Sequence, residues 1–151
     1  MNQLKDLLAR AKQRADQMLL PYAGALLPQE AFELLQSVPD ARLVDVRTRA
    51  EWDWVGRIPG AALIEWNRWP GGERNADFID ELRAAVPQAS SPLLFICRSG
   101  ARSHNAAILA TQAGYVSCFN VLEGFEGDRD AEGHRNSIGG WRVAGLPWIQ
   151  G

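Results

Sequence analysis

Along most of its length the chain alternates between short apolar runs and segments with helical periodicity, and no other feature restricts its fold as tightly. The apolar runs are ARLVDVR (41–47), IPGAALIEW (58–66), SPLLFIC (91–97) and YVSCFNVL (115–122). They are short, bounded by turn residues and without a strict apolar–polar alternation, which suits strands buried on both faces of a parallel sheet. Helical segments fall around and between them. LLPQEAFELLQSV (26–38) opens with Pro28 and carries Gln29 and Glu30 in its first turn. TRAEWDWVG (48–56) predicts a short helix capped by Thr48 and closed near Gly56. NADFIDELRAAV (75–86) puts Phe78, Ile79, Leu82 and Val86 on one face, with Asn75 as its cap, and SHNAAILATQAG (103–114) ends at Gly114. The expected architecture is α/β, with a mostly parallel central sheet of about five strands and helices on both faces.

Residues 1–20 stand apart from this pattern. Leu4, Leu7, Leu8, Ala11, Ala15, Met18 and Leu19 recur at helical spacing among charges, which predicts an extra N-terminal accessory helix packed on the domain. No apolar run there is long enough for a signal-peptide core or a membrane span, and Asp6 and Asp16 argue against a transit peptide. The rest, 21–151, shows no repeat, linker or low-complexity stretch and reads as one domain. A net charge of −2 provides no global basic field, so neither nucleic acid nor a membrane is expected as partner. Two cysteines, Cys97 and Cys118, are too few for a disulfide framework and fit a reducing compartment, so a cytoplasmic location is expected.

The chemistry concentrates in LLFICRSGARS (93–103). Cys97 ends an apolar strand, and the loop after it turns directly into a helix. In parallel sheets, ligands bind beyond the carboxyl ends of the strands. Residues 98 to 102 offer backbone N–H groups, Gly100 permits a tight curl, and the helix terminus adds partial positive charge. Arg98 and Arg102 add full charges. Together these favour a thiolate at Cys97 and cradle an anion delivered to it. Cys118 lies in YVSCFNVL without polar company and reads as an inert buried residue.

LVDVRTRAEW, GRIPGA, CRSGARS, NVLEGFEG and GLPW together resemble the single-domain rhodaneses, the thiosulfate or persulfide sulfurtransferases. The resemblance runs from about Leu26 to Gln150, leaving out the N-terminal helix, and marks 21–151 as a rhodanese-like domain. Where that family usually carries a histidine before the Ile-Pro-Gly-Ala turn, this chain has Arg57, a position taken as structural. The resemblance implies Cys97 as catalytic nucleophile and Arg98, Ser99, Gly100, Ala101, Arg102 and Ser103 as the substrate-binding loop. It also implies a small anionic sulfur donor, a thiol or protein sulfur acceptor, and no metal, flavin or nucleotide cofactor.

Asp45, Arg47 and Trp66 are expected in supporting roles. Asp45 and Arg47 end the neighbouring strand, where Arg47 and Glu51 can pair to brace the turn. Trp66 and Trp69 can wall the pocket. EGDRDAEGHRNSIGGW (126–141) reads as a solvated loop, with His134 and Arg135 as its candidates to reach an anion. Two rival readings are a sulfur-carrier or docking module without turnover, and a cysteine-dependent phosphatase. Related phosphatase loops place five residues between cysteine and arginine. Here four intervene between Cys97 and Arg102, and Ser103 stands where the phosphatase arginine would be.

Overall fold

The four apolar runs all supply strands, and a fifth comes from a place where no strand is predicted. The computed structural model describes residues 2–151. In chain order the elements are α1 (Asn2–Met18), β1 (Gly24–Leu26), α2 (Pro28–Ser37), β2 (Arg42–Asp45), α3 (Arg49–Trp54), β3 (Ala62–Leu63), α4 (Phe78–Ala85), β4 (Leu93–Ile96), α5 (Ala101–Gln112) and β5 (Cys118–Val121). The strands form one parallel sheet in the order β1-β5-β4-β2-β3.

Strand β4 shows why its run carries no apolar–polar alternation. Leu93 and Phe95 join one core with Val44, Val46, Leu82 and Ala106. Leu94 and Ile96 join the other with Leu7, Leu34, Phe119 and Trp141. Successive side chains point to opposite faces, both faces are covered by helices, and so every position must be apolar. Helices α4 and α5 contribute to the first core, α1 and α2 to the second.

The unpredicted strand is β1, Gly-Ala-Leu, too short to carry a pattern. It pairs with β5 from Gly24↔Phe119 to Leu26↔Val121. Helix α1 covers this sheet edge so closely that a Cβ on Gly24 would lie 2.9 Å from Ala11 Cβ. Leu7, Ala11 and Ala15 are its buried residues, so packing, rather than intrinsic propensity, is what holds the helix in place. A polar clamp adds to this: Arg14 Nη2 and Arg10 Nε donate to Glu30 Oε2 at 3.0 and 3.2 Å, while Glu30 Oε1 accepts the Leu27 N–H at the start of α2. No helix among the described residues is long and apolar enough to cross a membrane.

Thr48 caps α3 as expected, in a reciprocal arrangement: Thr48 Oγ1 accepts the Glu51 N–H and Glu51 Oε1 accepts the Thr48 N–H. Asn75 is a correction. Helix α4 starts later, with Asp77 at the N-cap position. Asn75 is buried in the preceding turn, where its Oδ1 accepts the Asp77 N–H and its Nδ2 donates to the Glu65 carbonyl.

Candidate active site

Cys97 is the first residue beyond β4, at the carboxyl edge of the sheet. The segment after β5 clasps the backbone there. Phe125 N–H donates to the Cys97 carbonyl at 2.8 Å and Glu126 N–H to the Arg98 carbonyl at 2.9 Å. This approach requires glycine at 124: its φ is +64°, and a Cβ would sit 2.5 Å from the Cys97 oxygen. Gly100, at φ +120°, then reverses the chain into α5.

The curl brings two polar groups to the sulfur. Gly100 N–H donates to Cys97 Sγ at 3.2 Å, and Ser103 Oγ lies 3.2 Å from the same atom. Cys97 is only 1% exposed, whereas Arg98 and Ala101 face solvent. The partial positive charge of the α5 terminus is added to the Gly100 N–H. Loop, glycine and helix start are therefore assembled around Sγ as the sequence suggests.

The two loop arginines differ. Arg102 is half-buried and forks onto Glu51, Nη1 to Oε1 at 2.7 Å and Nη2 to Oε2 at 3.0 Å. Burial alone would push the Arg102 guanidinium down. The hydrogen bonds and charge of Glu51, with the nearby Cys97 and Asp45, outweigh it and hold Arg102 above its ordinary value. Arg98 makes no side-chain hydrogen bond or ion pair among the described residues.

Arg47 does not pair with Glu51. Both Asp45 and Arg47 are fully buried and bind each other, Nη2 to Oδ2 at 2.7 Å and Nε to Oδ1 at 3.0 Å. Residues two apart on an extended chain share a face, so Asp45 reaches Arg47 first and Glu51 is left to Arg102. Arg47 also donates to the Gly56 carbonyl and stacks its guanidinium 4.2 Å from the Phe125 ring centre. Among the described residues the pair thus meets the loop only through Phe125, whose N–H binds the Cys97 carbonyl.

Trp66 belongs to the core, edge-on to Phe78 at 5.1 Å with Arg74 over its ring. Trp69 is exposed and lies in a cleft with Arg49, Asp53 and Trp54. The groove that adjoins the cysteine loop, about 410 Å³, is walled instead by Met18, Leu20, Tyr22 and Leu122 opposite Gly100 and His104. His134 and Arg135 stay within their own loop, through His134 N–H to Asp130 and Arg135 Nη1 to the Gly127 carbonyl at 2.7 Å.

Sequence reasoning missed two parts of the site. One is Asn120, 4% exposed, which donates from Nδ2 to the Gly100 carbonyl and accepts from Ser103. An asparagine inside an apolar strand was the available signal. The other is Tyr22, whose hydroxyl meets His104 Nδ1 at 2.7 Å.

A family model described as Rhodanese-like domain matches residues 27–131. RC0915 of Rickettsia conorii, described as uncharacterized, is 37% identical over 122 residues, covering 79% of this chain and 91% of its own. The thiosulfate sulfurtransferase GlpE of Haemophilus influenzae is 28% identical over 102 residues, 68% of this chain and 84% of its own. Among solved structures, Rv0390 from M. tuberculosis has a TM-score of 0.79 at 47% identity, covering 86% of this chain and 99% of its own.

Proposed function

The chain belongs to the rhodanese-like domain family, and from that premise we propose that it is a sulfurtransferase that moves sulfane sulfur from thiosulfate or a persulfide to a thiophilic acceptor through Cys97. The observation that carries the reading is the seat of the sulfur. Sγ accepts the Gly100 N–H and adjoins the Ser103 hydroxyl at the start of α5, between a solvent-facing Arg98 and a fixed Arg102. Cys118, buried in β5 with its sulfur turned to the Tyr115 carbonyl and away from the loop, is a spectator.

In the first half-reaction the Cys97 thiolate attacks the outer sulfur of thiosulfate. A Cys97 S–S bond forms, the S–S bond of the donor breaks, and sulfite leaves with the electron pair. The loop N–H groups and the arginines stabilise the anions on both sides of this exchange. In the second half-reaction an acceptor thiolate, or cyanide in an assay, attacks the outer sulfur of the persulfide and returns Cys97 as thiolate. Arg98, Ser99, Gly100, Ala101, Arg102 and Ser103 hold the anion, while Asp45 and Arg47 support the loop from beneath. Residues 21–151 carry this chemistry, residues 1–20 are accessory, and the free cysteines suit a reducing, cytoplasmic setting.

Loop length favours sulfur over phosphorus. Four residues separate Cys97 from Arg102, and Ser103, which has no charged fork to embrace a phosphate, stands where the phosphatase arginine would be. The experiment is intact mass after incubation with thiosulfate, followed by cyanide. One added sulfur is expected, lost in Cys97→Ser, retained in Cys118→Ser and discharged by cyanide. Loading without discharge would identify a carrier. Hydrolysis of aryl phosphates that disappears with Cys97→Ser would overturn the assignment.

A further inference from the structure

Asn120 sits in the middle of β5 between Phe119 and Val121, and its amide is buried beside the cysteine loop. A buried amide is costly unless its polar atoms are bonded, and the two partners of this one fix its orientation. The Gly100 carbonyl only accepts, so the Asn120 atom 3.2 Å from it is Nδ2. Oδ1 therefore faces Ser103 Oγ, at 2.6 Å. Three acceptors surround the Ser103 hydroxyl, and Oδ1 at 2.6 Å is nearer than the Gly100 carbonyl or Cys97 Sγ, each at 3.2 Å, so its single hydrogen points at Asn120.

That hydrogen is then withheld from the sulfur. Ser103 Oγ is 3.2 Å from Cys97 Sγ, and with its hydrogen committed it meets the sulfur as an acceptor. The hydrogen between them belongs to the thiol. A thiolate or a persulfide has no hydrogen on Sγ, and two acceptors would face each other across the same gap.

We infer that Asn120 is a positioning residue: it holds the Ser103 hydroxyl in a thiol-accepting orientation, and ionisation of Cys97 turns that hydroxyl from Asn120 Oδ1 to Cys97 Sγ. The inference rests on the reading of Cys97 as the working sulfur. The thiol proton leaves to a solvent base, while the Ser103 hydrogen stays on Oγ and rotates about the Cβ–Oγ bond. No bond between heavier atoms forms or breaks. Asn120 thus restrains the resting sulfur, because it competes with the thiolate for the one hydroxyl donor. The charged groups around the sulfur are Arg102, held by Glu51 of α3; Asp45 of β2, held by Arg47; and the exposed Arg98. Beyond Asn120 lie Tyr22 and its partner His104.

The sign of this effect separates it from a structural role. Damage to the loop would slow the reaction of Cys97, whereas removal of a competitor should speed it. The test is the rate of iodoacetamide alkylation at the Cys97 peptide against pH, read by mass spectrometry. Asn120→Leu should shift the midpoint down and raise the rate below it by about threefold to tenfold, the range set by one hydrogen bond. Ser103→Ala should shift it up. In the Ser103→Ala background, Asn120→Leu should change nothing further. If the leucine variant does not fold, Asn120→Ala carries the same expected sign. A slower or unchanged rate on loss of Asn120, or equal acceleration without Ser103, would overturn the inference. Alkylation needs no sulfur donor, so failure to load sulfur would sink the proposed function while leaving this cycle readable.

Discussion

Glu51 grips Arg102 with both carboxylate oxygens, and the oxygen that takes Nη1 at 2.7 Å also accepts the Thr48 N–H that starts α3. One carboxylate therefore ties a six-residue helix to the arginine at the mouth of the cysteine loop. Among the described residues the arginine's side-chain hydrogen bonds go to Glu51 and none goes to the sulfur.

Burial pushes the Glu51 carboxyl up, but the hydrogen bonds and charge of Arg102, with the Thr48 N–H, outweigh it and hold the group below its ordinary value of 4.5. A group lowered on folding stabilises the fold above its unfolded value, and that stabilisation is lost as pH falls through the folded one. Glu51→Gln should cost about 1.5–3 kcal/mol at neutral pH, as expected for a charged hydrogen-bonded pair. Denaturant unfolding should show the wild type weakening as pH drops below about 4.5, and the variant weakening less steeply. Parallel curves would mean that the ion pair contributes nothing.

Two glycines with positive φ offer a controlled comparison. A Cβ added at Gly60, where φ is +83°, would meet no atom within 4 Å, whereas one added at Gly124, where φ is +64°, would lie 2.5 Å from the Cys97 carbonyl oxygen. Gly60→Ala should cost only the backbone term, about 1–2 kcal/mol. Gly124→Ala should cost about 3 kcal/mol and also slow Cys97 alkylation, because the Phe125 and Glu126 amides can no longer reach the loop. Equal costs, with normal alkylation, would show that the clasp is dispensable.

Cys118 should reveal itself only at alkaline pH. Burial pushes its thiol up to about 11 from an ordinary 9.0. Its contribution is complete below the unfolded value and fades as pH rises towards the folded one, so stability should decline between about 9 and about 11. Tyr22 and Tyr115, both raised chiefly by burial, decline in a similar direction. Cys118→Ala should remove on the order of 2 kcal/mol of that decline, measured by urea unfolding across the pH series. An identical slope in wild type and variant would refute it.

Much of the sheet and the curl of the cysteine loop was legible because both are local. A run such as LLFIC must be buried on both faces, and a cysteine, a glycine and two arginines in seven residues mark the loop. What stayed hidden depends on contacts distant in sequence. Strand β1 exists only as a partner for β5 beneath α1, and nothing in Gly-Ala-Leu itself announces it. Glu51 reads as a partner of Arg47 because the two are near in sequence, yet Asp45 is nearer on the extended chain and takes Arg47. Asn120 lies 17 residues beyond the hydroxyl it orients. Asn75 has the right kind of side chain for a cap, but it turns the chain two residues before the N-cap.

The two loop arginines should have separable roles. Arg98 is exposed and unpaired among the described residues, so its charge is available to an incoming anion but open to screening by salt. Arg102 is held by Glu51, and its charge is partly neutralised before any donor arrives. Arg98→Ala should raise KM for thiosulfate by about twofold to fivefold, as loss of one exposed charged contact implies, with a smaller change in kcat. Its KM should also depend less on ionic strength than that of the wild type, because the screened charge is gone. Arg102→Ala should lower kcat and destabilise the fold, since it leaves a half-buried Glu51 without its partner. Steady-state kinetics at two salt concentrations, with unfolding curves for both variants, would decide the matter. If Arg98→Ala left KM and its salt dependence unchanged, the exposed arginine would have no part in donor capture.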